Sequence, residues 1–436
     1  MLISFSVANF RSIRHQQTLS MVRAGAGTTS RLAINGEPAG KGLSPVAVIL
    51  GANASGKSTI LDAMSYVIWL IRTSARSEAT KGLKMEPFLL DATSREEPFS
   101  TEICFTLDQD EYRYAFSLKD GKVESESLIL YSSQQQRRST RTLFTRAVSP
   151  QGKTEINVSN RLTGHKKAII QSTRDNSLFL SKAAQDNYEP LMDVYRWFVE
   201  SSPDDDDMTE DSVRRFTMDP HFRTWVTGLL TQADIGVMDV KIKTPSKPPT
   251  DLVDTFLRLG HEDENEEARH TVERRLIQQN TRPALVHQHA HDSGVDGELS
   301  WSRESLGTQE LWRIAGPVFN ALDTGRAFRL DEFENLHPLL IRAIIEIFQS
   351  ASTNPQNAQL IFTSHDVSLL GNYGGLGYML DRDQIWFTEK DNDGATELFP
   401  LSDYRPTKDE DIVKFYFQGR YGGIPVLQLL VDPAAD

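Results

Sequence analysis

Apolar and polar positions change period several times along the chain. The opening MLISFSVANF alternates apolar and polar residues, and residues 1–22 read as two strands joined by a turn, not as a signal peptide. VAVILG (Val46–Gly51) is apolar throughout, the pattern of a parallel strand buried on both faces. STILDAMSYVIWLIR then takes helical spacing. FSTEICFTL and YRYAFSL alternate again within residues 99–131 and predict a hairpin that extends into a β-rich lobe.

From Leu178 to Glu200 the period is helical. SSPDDDDMTEDS (Ser201–Ser212) reads as a polar acidic connector, and His261–Asn280 as a charged helix or a partly disordered arm. No sustained heptads occur, so a long coiled-coil arm is not expected. After residue 285 strand and helix alternate once more: RAFRLDE, HPLLIRAIIEIFQS, AQLIFTSHD, then terminal strands in GLGYMLDRDQIWFTEKD and GATELFPL. The expected organisation is therefore a split nucleotide fold. Residues 1–189 and 286–436 form the head, and 190–285 a mostly helical insertion.

Composition narrows the picture little. The 436 residues are 39% hydrophobic and 25% charged, an ordinary soluble composition. No apolar run reaches membrane-spanning length. A single cysteine, Cys104 in an alternating strand, excludes an internal disulfide framework and a Cys-rich zinc site; it reads as packing in a protein of the reducing cytoplasm. The net charge of -13 argues against a chain-wide nucleic-acid footprint. The best local basic stretch, Gln134–Arg146, reads first as a solvated hairpin loop. His287, His289 and His291 alternate in HQHAH; with no acid or cysteine to complete a metal site they read as a solvated strand end.

Chemistry concentrates in four places. GANASGKST has the spacing G-x-x-x-x-G-K-[ST] between an apolar strand and a helix, the context that a phosphate-binding loop requires. Gly51, Asn53, Ser55, Gly56, Lys57, Ser58 and Thr59 are its candidate cofactor-binding residues, with Lys57 on the β and γ phosphates and the Ser58 hydroxyl on Mg²⁺. Asp331 and Glu332 close the strand in FRLDEFENLHP; Asp331 suits Mg²⁺ and Glu332 the polarisation of an attacking water. LIFTSHD delivers His365 to the carboxyl edge of the sheet, where it can sense a γ-phosphate. SRESLGTQELWRI puts Ser305, Gly307 and Thr308 at a helix start, a second anion-binding terminus that can close over a partner's nucleotide in a homodimer.

In this order the segments resemble the Walker A, signature, Walker B, D-loop and switch histidine of ABC-type ATPase heads. LISFSVANFRSI resembles the opening of RecF and SMC heads. With LFLSKAAQDN, RDQIWFTEKD and KFYFQGRYGGIP added, the chain resembles the RloA/AbiL-type ATPases of bacterial anti-phage and abortive-infection loci, except in its central insertion. The resemblance implies an α/β P-loop NTPase of ABC/RecF/SMC-head type with a β-rich N-terminal lobe and a helical insertion. It implies ATP and Mg²⁺ as cofactors and a homodimer or higher homo-oligomer. It further implies an RloB-like or Toprim-type effector nuclease from the same operon, a phage-encoded trigger, and no membrane. A RecF-like DNA-repair ATPase acting directly on DNA is the alternative. Two features depart from the family pattern: one residue fewer before LHP in DEFENLHP, and Arg329 within the Walker B strand. No Q-loop glutamine is assignable, Gln109 and Gln134 being only loop candidates.

Overall fold

The computed structural model describes residues 1–23, 42–108, 110–132, 139–200, 208–233, 237–244, 248, 251, 253–254, 266–279, 281–287, 297–332, 336–372, 377–407 and 410–424. Contacts divide the chain into two compact units. The first takes residues 1–202, 321–334 and 341–436, and the second 203–320 and 335–340.

In the first unit the strands are β1 (Leu2–Ala8), β2 (Gln17–Ser20), β3 (Val46–Gly51), β4 (Phe99–Leu107), β5 (Asp110–Lys119), β6 (Lys122–Ser132), β7 (Ser139–Val148) and β8 (Thr154–Val158). Helices α1 (Lys57–Thr73), α2 (Lys166–Ser172), α3 (Phe179–Gln185) and α4 (Glu189–Glu200) complete this half. Among the described residues one antiparallel sheet runs β2-β1-β4-β5-β6-β7-β8, which makes good the expected β-rich lobe. Its inner face follows the alternation read from the sequence. Phe99, Ile103 and Phe105 of β4 are buried together with Tyr114, Phe116 and Leu128 of the neighbouring strands, against Ile60, Met64 and Val67 of α1. α4 closes this core with Trp197, whose ring stacks on Phe105 at 4.1 Å between centroids.

The second unit holds α5 (Met208–Met218), α6 (Pro220–Gln232), β9 (Val237–Lys243), α7 (Glu266–Gln279), β10 (Arg282–His287) and β11 (Gly297–Ser300). The stretch expected to be mostly helical thus carries strands too, in an antiparallel sheet ordered β11-β10-β9. Helix α5 begins inside the stretch read as an acidic connector, whose residues 201–207 lie outside the described residues. Helix α8 (Leu306–Thr324) starts in this unit, where Trp312 packs edge-on to Trp301 and at a tilt to Phe216.

The chain then supplies β12 (Ala327–Leu330), α9 (Pro338–Gln349), β13 (Gln359–Ser364), β14 (Ile385–Lys390), β15 (Thr396–Pro400) and α10 (Ile412–Phe417). These complete a sheet ordered β12-β13-β3-β14-β15, parallel except for β15. Every residue of β3 and β13 is buried, as strands with neighbours on both sides require. Ile341, Ile344, Ile345 and Phe348 form the buried stripe of α9, each contributing about 1.5–3 kcal/mol by its burial. The strand predicted from GLGYML onward begins only at Ile385, because a 3₁₀ turn at Arg382–Gln384 with a capping box at Asp381 precedes it.

Candidate functional site

The parallel strands deliver their carboxyl ends to one edge, and the motif residues of the first unit gather there. β3 ends at Gly51, and α1 starts six residues later at Lys57. Gly56, at the N-cap, has φ 106° and brings no capping side chain, so the first N–H groups of α1 are left for an outside acceptor. A Cβ on Gly56 would stand 2.1 Å from Thr396 Oγ1, and one on Gly51 2.5 Å from the Thr388 carbonyl oxygen. Both positions therefore need glycine for close approach as well as for conformation. Asn53 is exposed at the loop tip, whereas Ser55 is buried, its Oγ 2.6 Å from Thr388 Oγ1.

Lys57 is only 4% exposed, and its ammonium is held inside the loop. Nζ donates to the carbonyls of Gly51 and Ala52, both at 3.0 Å, and lies 3.3 Å from His365 Nδ1. An ammonium only donates, so Nδ1 is the acceptor and the His365 proton sits on Nε2. Nε2 faces Glu332 Oε1 at 3.6 Å, beyond hydrogen-bond length.

Both acids depend on one hydroxyl that sequence reasoning did not single out. Thr363, fully buried in β13, accepts the Glu332 N–H at 2.9 Å and donates to Asp331 Oδ1 at 2.5 Å. Glu332 has φ 61°, a left-handed backbone costing a non-glycine residue roughly 1–2 kcal/mol. The Thr363 contact offsets that cost. Phe333, Glu334 and Asn335, within the shortened segment before Leu336, lie outside the described residues.

NFRSI packs around this edge. The Asn9 amide donates to the Ser94 and Glu97 carbonyls and accepts the Phe88 N–H. Arg11 bridges Glu86 and Asp62. Burial pushes the Asp62 carboxyl up; Arg11 opposes this, and the charge of Asp331 adds to it. Ser12 Oγ stands 3.1 Å from Thr59 Oγ1 and 2.9 Å from Thr396 Oγ1. Thr388 and Thr396 carry no motif spacing, and Thr363, although within LIFTSHD, gives no sign in the sequence of its contact with Asp331 and Glu332, so only the fold reveals their roles.

Ser305, Gly307 and Thr308 belong to the second compact unit. Ser305 is exposed and caps α8: its Oγ accepts the Thr308 N–H at 3.1 Å and lies 2.8 Å from Thr308 Oγ1. The adjacent Leu306 is 70% exposed.

Other candidates fall away. Arg146, the last residue of the basic stretch, is buried, and its guanidinium donates to the carbonyls of Ser177, Arg174 and Asp175. It braces the lobe from within. Gln109, Gln134, His289 and His291 lie outside the described residues. Cys104 is partly buried, and burial pushes its thiol up, which suits a packing residue. No group of three or more His, Cys, Asp or Glu side chains among the described residues is arranged to hold a metal. Ser58 and Asp331 nevertheless fit Mg²⁺, which takes one or two protein oxygens and fills its shell with water and phosphate. No helix among the described residues is long and apolar enough to cross a membrane.

A family model described as "AAA domain, putative AbiEii toxin, Type IV TA system" matches residues 46–371. No curated protein matches the chain. Among solved structures, the SMC head domain from Thermotoga maritima is 11% identical with a TM-score of 0.39, over 92% of this chain and 98% of that one. The Smc head domain with an extended coiled coil bound to the C-terminal domain of ScpA, derived from Pyrococcus furiosus, is 12% identical with a TM-score of 0.38, over 96% and 99%.

Proposed function

The chain belongs to the family described as AAA domain, putative AbiEii toxin, Type IV TA system, and from that membership we propose that it is an ATPase that binds and hydrolyses ATP at a homodimer interface and serves as the sensor or switch subunit of an anti-phage, abortive-infection system. The AAA family model and the parallel strands around the phosphate loop support reading its fold as a P-loop NTPase head of the ABC, RecF and SMC type. The observation that carries the proposal is the convergence of Lys57, Asp331, Glu332 and His365 at one sheet edge, with Lys57 and His365 in contact.

Lys57 binds the β and γ phosphates, and the uncapped start of α1 adds its N–H groups and dipole. Ser58 and Asp331 hold Mg²⁺, which when bound neutralises phosphate charge. Glu332 orients and polarises the attacking water, and His365 reports the γ-phosphate to Lys57 and Glu332. Ser305, Gly307 and Thr308 act on the nucleotide of the second subunit. The controlled effector is a separate nuclease, RloB-like or Toprim-type, released or restrained by ATP-driven closure in the cytoplasm after a phage-encoded trigger. The family's description, which names a putative AbiEii toxin and a Type IV TA system, supports a toxin-controlling setting. Direct action on DNA is the weaker reading, since Arg146 is spent on internal carbonyls.

Two variants test the core of the proposal. Lys57→Ala loses ATP binding in calorimetry, whereas Glu332→Gln keeps ATP bound and turns it over far more slowly. Unchanged ATP affinity in Lys57→Ala removes the phosphate-loop reading. Unchanged turnover in Glu332→Gln places the catalytic acid elsewhere. Co-purification of a nuclease encoded in the same operon tests the switch role.

A further inference from the structure

Behind the phosphate loop lies a hydroxyl that neither the motif nor the family model assigns. Thr396 opens β15 and is 1% exposed. Its Oγ1 lies 3.0 Å from the Ser55 carbonyl, 2.9 Å from Lys390 Nζ and 2.9 Å from Ser12 Oγ. Its N–H donates to the Ser12 carbonyl at 2.7 Å.

Two of the hydroxyl's contacts have a forced direction. A carbonyl only accepts and an ammonium only donates, so protons run from Lys390 to Thr396 and from Thr396 to the Ser55 carbonyl. The Ser55–Gly56 peptide is planar and trans, with its C=O and N–H opposed. Fixing the Ser55 carbonyl onto Thr396 therefore turns the Gly56 N–H the opposite way, away from β15. Thr388 Oγ1, on the Ser55 hydroxyl, holds the same residue by its side chain.

We propose that Thr396 is a positioning residue of the nucleotide site: it sets the Ser55–Gly56 peptide so that the Gly56 N–H faces the phosphates before any nucleotide arrives. This rests on the nucleotide reading above. The chemistry it serves is the diphosphate portion common to ATP and ADP, because loop N–H groups cradle the inner phosphates. Lys390 strengthens the hold, since a hydroxyl that accepts from a cation is a better donor.

The test uses the full chain. Thr396→Val keeps the shape and removes the hydroxyl, while Thr396→Ser restores it. Calorimetry with Mg-ATP and with Mg-ADP is expected to show about tenfold weaker binding of both nucleotides for Thr396→Val and near wild-type binding for Thr396→Ser. Thermal unfolding is expected to show a smaller nucleotide-induced rise in Tm for Thr396→Val. Equal affinity of wild type and Thr396→Val overturns the proposal and leaves the nucleotide reading standing. So does a Thr396→Val protein with a lowered nucleotide-free Tm and an intact nucleotide-induced rise, the mark of a purely structural role. A wild-type chain that binds neither nucleotide overturns both.

Discussion

Replacing Thr363 by valine separates hydrolysis from binding. The substitution keeps the volume of a fully buried side chain and removes one oxygen. That oxygen makes two bonds, one to the Glu332 N–H and one to the Asp331 carboxylate. A neutral bond contributes about 1 kcal/mol net, and one to a charged group about 1.5–3 kcal/mol. Asp331 and Glu332 are exposed, so water replaces part of this. About 1.5–3 kcal/mol of positioning remains to be lost. Glu332 then has no compensation for its left-handed backbone at φ 61° and relaxes out of place. At 1.4 kcal/mol per factor of ten, kcat falls roughly 10- to 100-fold. Affinity for ATP without Mg²⁺ changes by less than about threefold, because the phosphate-binding groups on the loop and α1 are untouched and only Asp331, the proposed Mg²⁺ holder, loosens. Steady-state ATPase assays with calorimetry on the same preparations measure both quantities, and Thr363→Ser should recover most of the rate. Wild-type kcat in Thr363→Val would refute the reasoning. So would a loss confined to ATP affinity, which would make Thr363 part of the binding cradle.

Other expectations concern the second unit and the lobe. Ser305→Arg should bind ATP yet fail to hydrolyse it, and an excess of Lys57→Ala protein should restore part of the activity. Such a mixed pair keeps one intact phosphate loop and one intact signature. No recovery in mixtures shown by native mass spectrometry to contain heterodimers counts against the shared site. Arg146→Met should cost about 3–5 kcal/mol in urea unfolding, because it removes the donors to the Ser177, Arg174 and Asp175 carbonyls and the cation whose charge favours the buried Glu126 carboxylate. Burial already holds the Glu126 carboxyl above its ordinary range against the opposing pull of Arg146. Losing the cation raises it further. A carboxyl that binds its proton more tightly when folded loses stability as pH rises towards its folded value, so the deficit should grow with pH. A deficit that is flat or shrinking with pH would assign the loss to packing alone.

Local pattern carried the sheet elements because burial and period coincide there. β3 is apolar throughout, β13 carries the apolar run Leu360–Phe362, and β4 buries alternate residues from Phe99 to Phe105. The loop was legible because its glycines and lysine sit within one short stretch, where spacing alone encodes geometry. Thr363, Thr388 and Thr396 were not legible. Each is an ordinary strand threonine until strand pairing brings it to its partner: Thr363 to Asp331 and Glu332 across β12 and β13, and Thr388 and Thr396 to Ser55, hundreds of positions away. Arg146 was misleading for a related reason. In a basic run a guanidinium looks solvated, and only the fold shows it turned inward onto the carbonyls of Ser177 and Arg174. The strands of the second unit were missed because charged residues dilute the alternation in VMDVKIK.

The cap on α8 has a consequence for how that helix end can be used. Ser305 Oγ gives a lone pair to the Thr308 N–H and still owns one proton, which in the absence of any ligand can rest on Thr308 Oγ1. An anion arriving at this end can claim the proton by a rotation of the hydroxyl alone. The lone-pair contact stays, so the helix is never uncapped and no turn has to melt or reform. Occupation of this end thus becomes a torsional event on the picosecond-to-nanosecond scale of side-chain rotation. On this geometry, preparing the start of α8 to receive a charge is never the slow step of any process that uses it.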